Sequence, residues 1–188
     1  MRFRIWLGFV LFILILTIAI SLLHRRVARY DEFIAQSADR YHLDFYLVKA
    51  LIYEESWFRP DSRGSSGELG LMLVMRGAAA DFTTRNGFPA IQNESRILEP
   101  RLNIEIGCWY LSQSLDHYRN SPAPELFALL RYNAGEARAD GWLREALSNP
   151  APPGGDAENY YLSRVNFPKT REYARRILHR WRSRNFWF

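Results

Sequence analysis

Residues 5–23, IWLGFVLFILILTIAISLL, carry no charge and almost no polarity. As a helix rising about 1.5 Å per residue, the run nearly matches a hydrocarbon layer of roughly 30 Å. No face of it is polar, so it does not suit a helix lying half-buried on a soluble core. Arg2 and Arg4 precede the run and HRRVAR, 24–29, follows it. A cleaved signal peptide is the competing reading. Its apolar region is usually about 7–15 residues and closes on small residues; this run is longer and ends in SLLHRR, with no small-x-small site. We read residues 1–26 as an uncleaved signal anchor, a single transmembrane helix meeting the lipid bilayer through 5–23, and residues 27–188 as one domain. Positive charge on both sides leaves the orientation open.

The net charge of +5 invites a nucleic-acid reading, and its distribution argues against one. Residues 1–30 hold five arginines and no acid, and residues 171–188 hold six arginines and one acid. Of 25 basic and 20 acidic residues, 14 and 19 therefore remain between them. The centre is mildly acidic and no nucleic-acid partner is expected. One cysteine, Cys108, allows no intramolecular disulfide. It falls between Ile104 and Leu111 on an apolar helix face and reads as core. The four histidines are scattered, so neither a metal site nor a cofactor is expected.

The rest of the chain reads as all-α. Apolar spacing predicts a first helix over 27–40 and a second opened by Asp44 as N-cap in HLDFYLVKALIYEES. Pro60 and DSRGSSGELG make a glycine-rich loop. LMLVMRGAAADF, 71–82, predicts a third helix, and 83–100 is mixed, with turns at Asn86-Gly87 and Pro100. Helices follow over 103–118, over 124–135 with Gly135 as C-cap, over a short 141–147, and over the last stretch FPKTREYARRILHRWRSR. SNPAPPGGDAEN is a loop, flexible over 153–159. The expectation is six or seven helices and no strand.

Within ALIYEESWFRP, 50–60, two acids stand side by side at the end of an apolar run. At about 100° per residue, Glu55 falls inside the arc of Leu47, Val48, Leu51 and Ile52. Glu54 falls at the edge of that arc, and Lys49 and Tyr53 mark the wetter side. A carboxyl on an apolar face has its ionised form disfavoured and its pKa raised. The proton then stays available near neutrality, as a general acid requires. The plainer alternative is a helix-end carboxylate paired with an arginine.

Four stretches carry a resemblance: ALIYEESWFRP, GSSGELGLMLVM, LLRYNAG and FPKTREYARRI. In this order and at these spacings the chain resembles, over roughly 32–180, the lytic transglycosylases of the soluble-lytic-transglycosylase (SLT) type, which have a lysozyme-like fold. The resemblance implies that Glu55, beside Ser56, is the catalytic acid/base and that Glu54 is not. It implies cleavage of the β-1,4 bond between N-acetylmuramic acid and N-acetylglucosamine in the peptidoglycan glycan strand. The C6 hydroxyl of the muramic residue closes a 1,6-anhydro ring, so one carboxyl suffices where ordinary glycosidases use two. It further implies Met72 as a groove-lining methionine, Tyr132 and Asn133 beside the glutamate, and Tyr173 near the acid, all in the substrate site with Ser56. For the tyrosines the competing role is core packing with a satisfied hydroxyl, and for Met72 gap-filling. By the same implication the domain stands on the periplasmic, cell-wall side of the cytoplasmic membrane, beside a wall-spanning machinery that nothing in the sequence identifies.

The chain departs from the family pattern at Gly64, where serine is usual, at Leu73 for glutamine, at Arg76 for proline and at Lys169 for an acid. These departures bear on glycan contact and leave Glu55 untouched. Two other readings remain. A muramidase on the same fold would need a second carboxylate to position water, with Asp61 or Glu68 as candidates. A non-catalytic glycan-binding or scaffold module is favoured by Leu73 and Gly64 and opposed by Glu55. The basic, aromatic C-terminus RRILHRWRSRNFWF suits either an anionic surface or a solvated helix face with a packed end.

Overall fold

The computed structural model describes residues 2–91 and 93–186, and among these the side chains of all but 2–5, 7 and 8. The flanking charges Arg2 and Arg4 and the terminal Trp187 and Phe188 lie outside those described. Helix α1, Arg2–Ala28, leaves its side chains exposed from Phe9 to Leu22. Such a helix exposes apolar surface on every side, which water does not tolerate and a bilayer does. Among the described residues this is the one segment long and apolar enough to cross a membrane. Its end is held by the body: Val27 is buried in the core and Leu23 packs against it.

The body is helical throughout: α2 Asp31–Arg40, α3 Phe45–Ser56, α4 Arg76–Asn86, α5 Glu94–Ile97, α6 Pro100–Tyr118, α7 Pro124–Ala134, α8 Glu136–Ser148, α9 Ala157–Arg164 and α10 Pro168–Ser183. Helix α3 is central, between α2 and α10, while α7 packs on α6, α8 and α10. The start of α3 is set by Asp44, whose carboxylate accepts from the backbone N–H of Tyr46 (2.8 Å) and Leu47 (3.0 Å). Proline begins α6, α7 and α10, where the missing N–H leaves no helical bond unmade.

Several expectations need correction. The predicted first helix is divided at Arg29 and Tyr30, between α1 and α2. The third helix starts at Arg76 rather than at residue 71. Leu69 and Val74 bond each other in both directions (3.0 and 2.8 Å), which closes a tight turn over the four residues between them. Gly70 and Leu73 have φ of 83° and 43° in that turn, outside the helical region. Lys49 and Tyr53 are buried, not wet, because α2 and α10 cover α3 on that side. Lys49 donates to both oxygens of Asp31 (2.6 and 2.8 Å), and the Arg180 guanidinium lies 3.7 Å above the Tyr53 ring.

Helix α8 begins directly after Gly135, earlier than residue 141, and α9 starts inside the stretch read as loop and continues through residues to which no helix was assigned. Asp156 caps α9 through the Asn159 N–H (3.0 Å), so residues 157–159 of the expected flexible loop are helical. The described body thus has nine helices, with α5 the shortest. The basic C-terminal helix is largely neutralised from within. Arg176 binds Glu54, Arg182 binds Glu158, and Arg184 lies 4.0 Å over Tyr46. Phe186 is buried.

One fully buried amide organises the irregular segment between α3 and α4. Asn103 of α6 accepts from the Met72 N–H (2.8 Å) and donates to the carbonyls of Leu69 (2.8 Å) and Ile97 (2.9 Å). A β-carbon at Gly70 would stand 2.3 Å from the Asn103 Nδ2, so this contact requires glycine there. Asn103→Ala strands the Met72 N–H and the Ile97 carbonyl, each costing on the order of 1–3 kcal/mol, and leaves the Leu69 carbonyl with the Val74 N–H alone. The expected loss is about 3 kcal/mol or more, read from the denaturation midpoint; a midpoint within error of wild type would exclude the clamp.

Candidate active site

The last turn of α3 separates the two adjacent acids. Glu54 faces α10 and is held by Arg176, whose Nε donates to both its oxygens (2.9 and 3.0 Å). Glu55 faces inward and has no cationic partner among the described residues. The Tyr173 hydroxyl of α10 donates to its Oε1 at 2.5 Å. Burial pushes the Glu55 carboxyl from the ordinary 4.5 up to about 8; the Tyr173 bond opposes the rise and the charges of Glu54 and Glu68 add to it. The phenols of Tyr173 and Tyr132 are raised well above their usual value, first by burial and then by Glu55, so both remain hydroxyl donors.

Glu55 opens on a groove of about 750 Å³ between the glycine-rich loop, α4, α6 and the α7–α8 corner. That size suits a sugar-sized ligand with its ends open. Tyr132 and Asn133 line it. The Tyr132 hydroxyl is already engaged, donating to the Met72 carbonyl (2.8 Å) and so tying α7 to the loop. The Asn133 Oδ1 accepts from Thr170 (2.8 Å), which leaves its Nδ2 donors without a protein partner among the described residues. Tyr173 reaches the site through Glu55 and does not line the groove.

Two other expected residues stand apart from the groove. The Ser56 hydroxyl turns back along α3 and donates to the Ile52 carbonyl (3.1 Å). Met72 is fully buried and packs over Gly107, beneath the groove; the methionine that lines it is Met75, 46% exposed. The expectation of a groove-lining Met72 is corrected accordingly. Within the tight Leu69–Val74 turn Met72 is buried against Gly107.

Further lining residues were not singled out from sequence: Tyr110 and Arg131, with the guanidinium 5.7 Å over the ring, and Asp81 and Arg138. Their pattern, charges scattered through separate helices, offers no local signal. Glu68 lines the groove and accepts from the Ser66 N–H (2.9 Å). A β-carbon at residue 64 would stand 2.1 Å from its Oε2, so Gly64, in place of serine, makes room for this carboxylate. Asp61 is not among the lining residues; Asp81 is. Elsewhere His117, Glu136 and Asp140 bring their ligand atoms within 4.8 Å of one another, a grouping that the sequence spacing did not suggest. Arg131 takes Glu136 (2.5 Å) and the Tyr118 hydroxyl takes Asp140 (2.7 Å), so these oxygens already have protein partners.

The family model for the transglycosylase SLT domain matches residues 32–151. The chain is 30% identical over 129 residues to the soluble lytic murein transglycosylase of Salmonella typhimurium, covering 69% of this chain and 19% of that one. It is 28% identical over 156 residues to membrane-bound lytic murein transglycosylase F of Desulfosudis oleivorans, covering 80% and 31%. Among solved structures, an inactive glutamate-to-glutamine mutant of the lytic transglycosylase Slt from Pseudomonas aeruginosa superposes with a TM-score of 0.69 at 25% identity, covering 80% and 23%. A complex of the 70-kDa soluble lytic transglycosylase with bulgecin A gives 0.71 at 25%, covering 82% and 24%. The chain therefore spans about a fifth to a third of the length of these relatives. With a helical body of that fold, and a family match across most of it that takes in Glu55 and the Tyr132–Asn133 corner, this chain belongs to the transglycosylase SLT domain family.

Proposed function

We propose that this protein is a membrane-anchored peptidoglycan lytic transglycosylase with Glu55 as its acid and base. The observation that carries the reading is a single carboxyl, raised to about 8, hydrogen-bonded to Tyr173 and open to a groove of sugar size. Protonated Glu55 donates to the glycosidic oxygen between N-acetylmuramic acid and N-acetylglucosamine as the bond to C1 breaks. Its carboxylate then takes the proton of the muramic C6 hydroxyl while O6 bonds to C1. The proton count closes and no water is consumed. Asn133 offers its free amide donors to the glycan, and Tyr132 and Asn103 hold the loop wall through the Met72 backbone. In this reading α1 is a single-pass anchor, and the peptidoglycan substrate, not the charge flanking α1, puts the domain on the cell-wall side of the cytoplasmic membrane.

The test is mass spectrometry of products from purified peptidoglycan. Products lighter than hydrolytic ones by one water support the reading. Reducing-end products would move it to a muramidase, a reading favoured by the presence of Glu68 and Asp81 in the same groove. Binding without products would indicate a glycan-binding module.

The pH dependence follows from the acid. Glu55 must hold its proton to donate it, so activity falls as pH rises through about 8. The Tyr173 hydrogen bond favours the ionised form, and removing it raises the pKa. In Tyr173→Phe the alkaline limb of the rate profile is expected to move to higher pH. An unmoved limb would mean that Tyr173 only packs.

A further inference from the structure

The two basic ends of the chain are used differently. The arginines of α10 are mostly occupied: Arg176 by Glu54, Arg182 by Glu158, and Arg180 and Arg184 by tyrosine rings. Those at the end of α1 meet no acid among the described residues, although Arg29 lies 5.6 Å over the Tyr30 ring and the Nε of Arg59 donates to the Ser56 carbonyl (3.3 Å). Arg25, Arg26 and Arg29 line one hollow of about 500 Å³ together with Arg59, which comes from the turn after α3. No carboxylate lines this hollow, and none of the four is ion-paired among the described residues. Leu22 and Phe58 supply apolar wall.

Four like charges facing one space repel each other, and their convergence calls for an anion. The fold maintains it. Val27 and Phe58 are both buried in the core, so α1 and the turn carrying Arg59 are fixed to the same body.

Depth identifies the anion. The apolar run ends at Leu23, and residues 25–29 lie within about 3–9 Å beyond it at 1.5 Å per residue. The polar headgroup layer is roughly 5–8 Å thick on each side. The hollow therefore stands at the level of the lipid phosphates. Arginines just past an anchor on its translocated side also run against the usual charge bias, which a use in binding would offset.

We infer that Arg25, Arg26, Arg29 and Arg59 form a seat for the phosphate of an anionic phospholipid, fixing the catalytic domain against the membrane it is anchored in. The inference rests on the proposed membrane anchoring, not on the glycan chemistry. Arg59 is its distinguishing element. It lies far from the anchor in sequence, so a simple flanking-charge effect would not involve it.

The test is the apparent affinity of the full chain for phosphatidylglycerol, measured by native mass spectrometry from micelles that also contain phosphatidylcholine. Wild type is expected to retain phosphatidylglycerol preferentially. Arg59→Gln and Arg26→Gln should each weaken it about five-fold, the effect of one cation at an anionic surface. Arg59→Lys should keep most of the affinity, and Arg182→Gln should leave it unchanged. Wild-type affinity in Arg59→Gln would overturn the seat in favour of flanking charge alone. Equal retention of phosphatidylcholine, or displacement of the lipid by inorganic phosphate or by soluble muropeptides, would overturn it as well. Alkaline extraction of membranes checks the anchoring separately: a chain released by it fails the anchor reading, whereas an embedded chain without lipid preference fails only the seat.

Discussion

Glu55→Gln is expected to stop glycan cleavage while leaving the fold in place. Glutamine has nearly the volume of glutamate, and its carbonyl oxygen can still accept from the Tyr173 hydroxyl that now meets Oε1. What it lacks is the acidic proton and the basic carboxylate. A positioned general acid contributes about 10²–10⁴-fold, and here one residue serves as acid and then as base, so the loss should be at least about a thousandfold. The measurement is product release from purified peptidoglycan, with near-ultraviolet circular dichroism as the fold control. Glu54→Gln serves as the contrast. Glu54 is engaged by Arg176 and turned away from the groove, so its variant should retain most of the activity. Comparable losses in both variants would remove the distinction between the two acids, and substantial activity in Glu55→Gln would remove Glu55 from the chemistry.

The same substitution should stabilise the protein at alkaline pH. The folded carboxyl titrates near 8 against an ordinary 4.5, so between those values the folded state keeps a proton that the unfolded chain has released. Stability tied to this group is complete below about pH 4.5 and is lost progressively as pH rises through about 8. A shift of this size corresponds to at most about 5 kcal/mol, and access of water to the groove reduces it to roughly 3. Glutamine does not titrate. The difference in unfolding free energy between Glu55→Gln and wild type should therefore grow by about 3 kcal/mol from pH 5 to pH 9. Denaturant titration of the full chain in detergent, followed by tryptophan fluorescence, reads this directly. A difference constant with pH would mean that the carboxyl is not buried in its neutral form.

The placement of Glu55 was legible from sequence because it depends on a local period. Once Asp44 caps α3, 100° per residue turns Glu55 toward the apolar arc and Glu54 to its edge. The four motifs then named the family. Lys49 and Tyr53 were misread by the same wheel, because a wheel reports the composition of one face and not what covers it. A lysine becomes a buried residue only when Asp31 arrives from α2 to meet it. The turn before α4 was misread for a related reason. LMLVM has helical composition, yet its backbone is set by the mutual Leu69–Val74 bonds and by Asn103, more than 30 residues away.

Sequence by itself determined the features that short-range physics controls: an apolar run of membrane length, an all-helical body, the caps at Asp44 and Gly135, and the glutamate that faces inward. Only the tertiary structure decided which tyrosine holds that glutamate, that Tyr132 and Asn103 brace the loop wall, that Met75 rather than Met72 lines the groove, and that Arg59 joins the arginines of α1. These depend on contacts between residues tens of positions apart. Such contacts exist only once the helices have packed, because the position of each partner is set by the whole core and not by its neighbours along the chain.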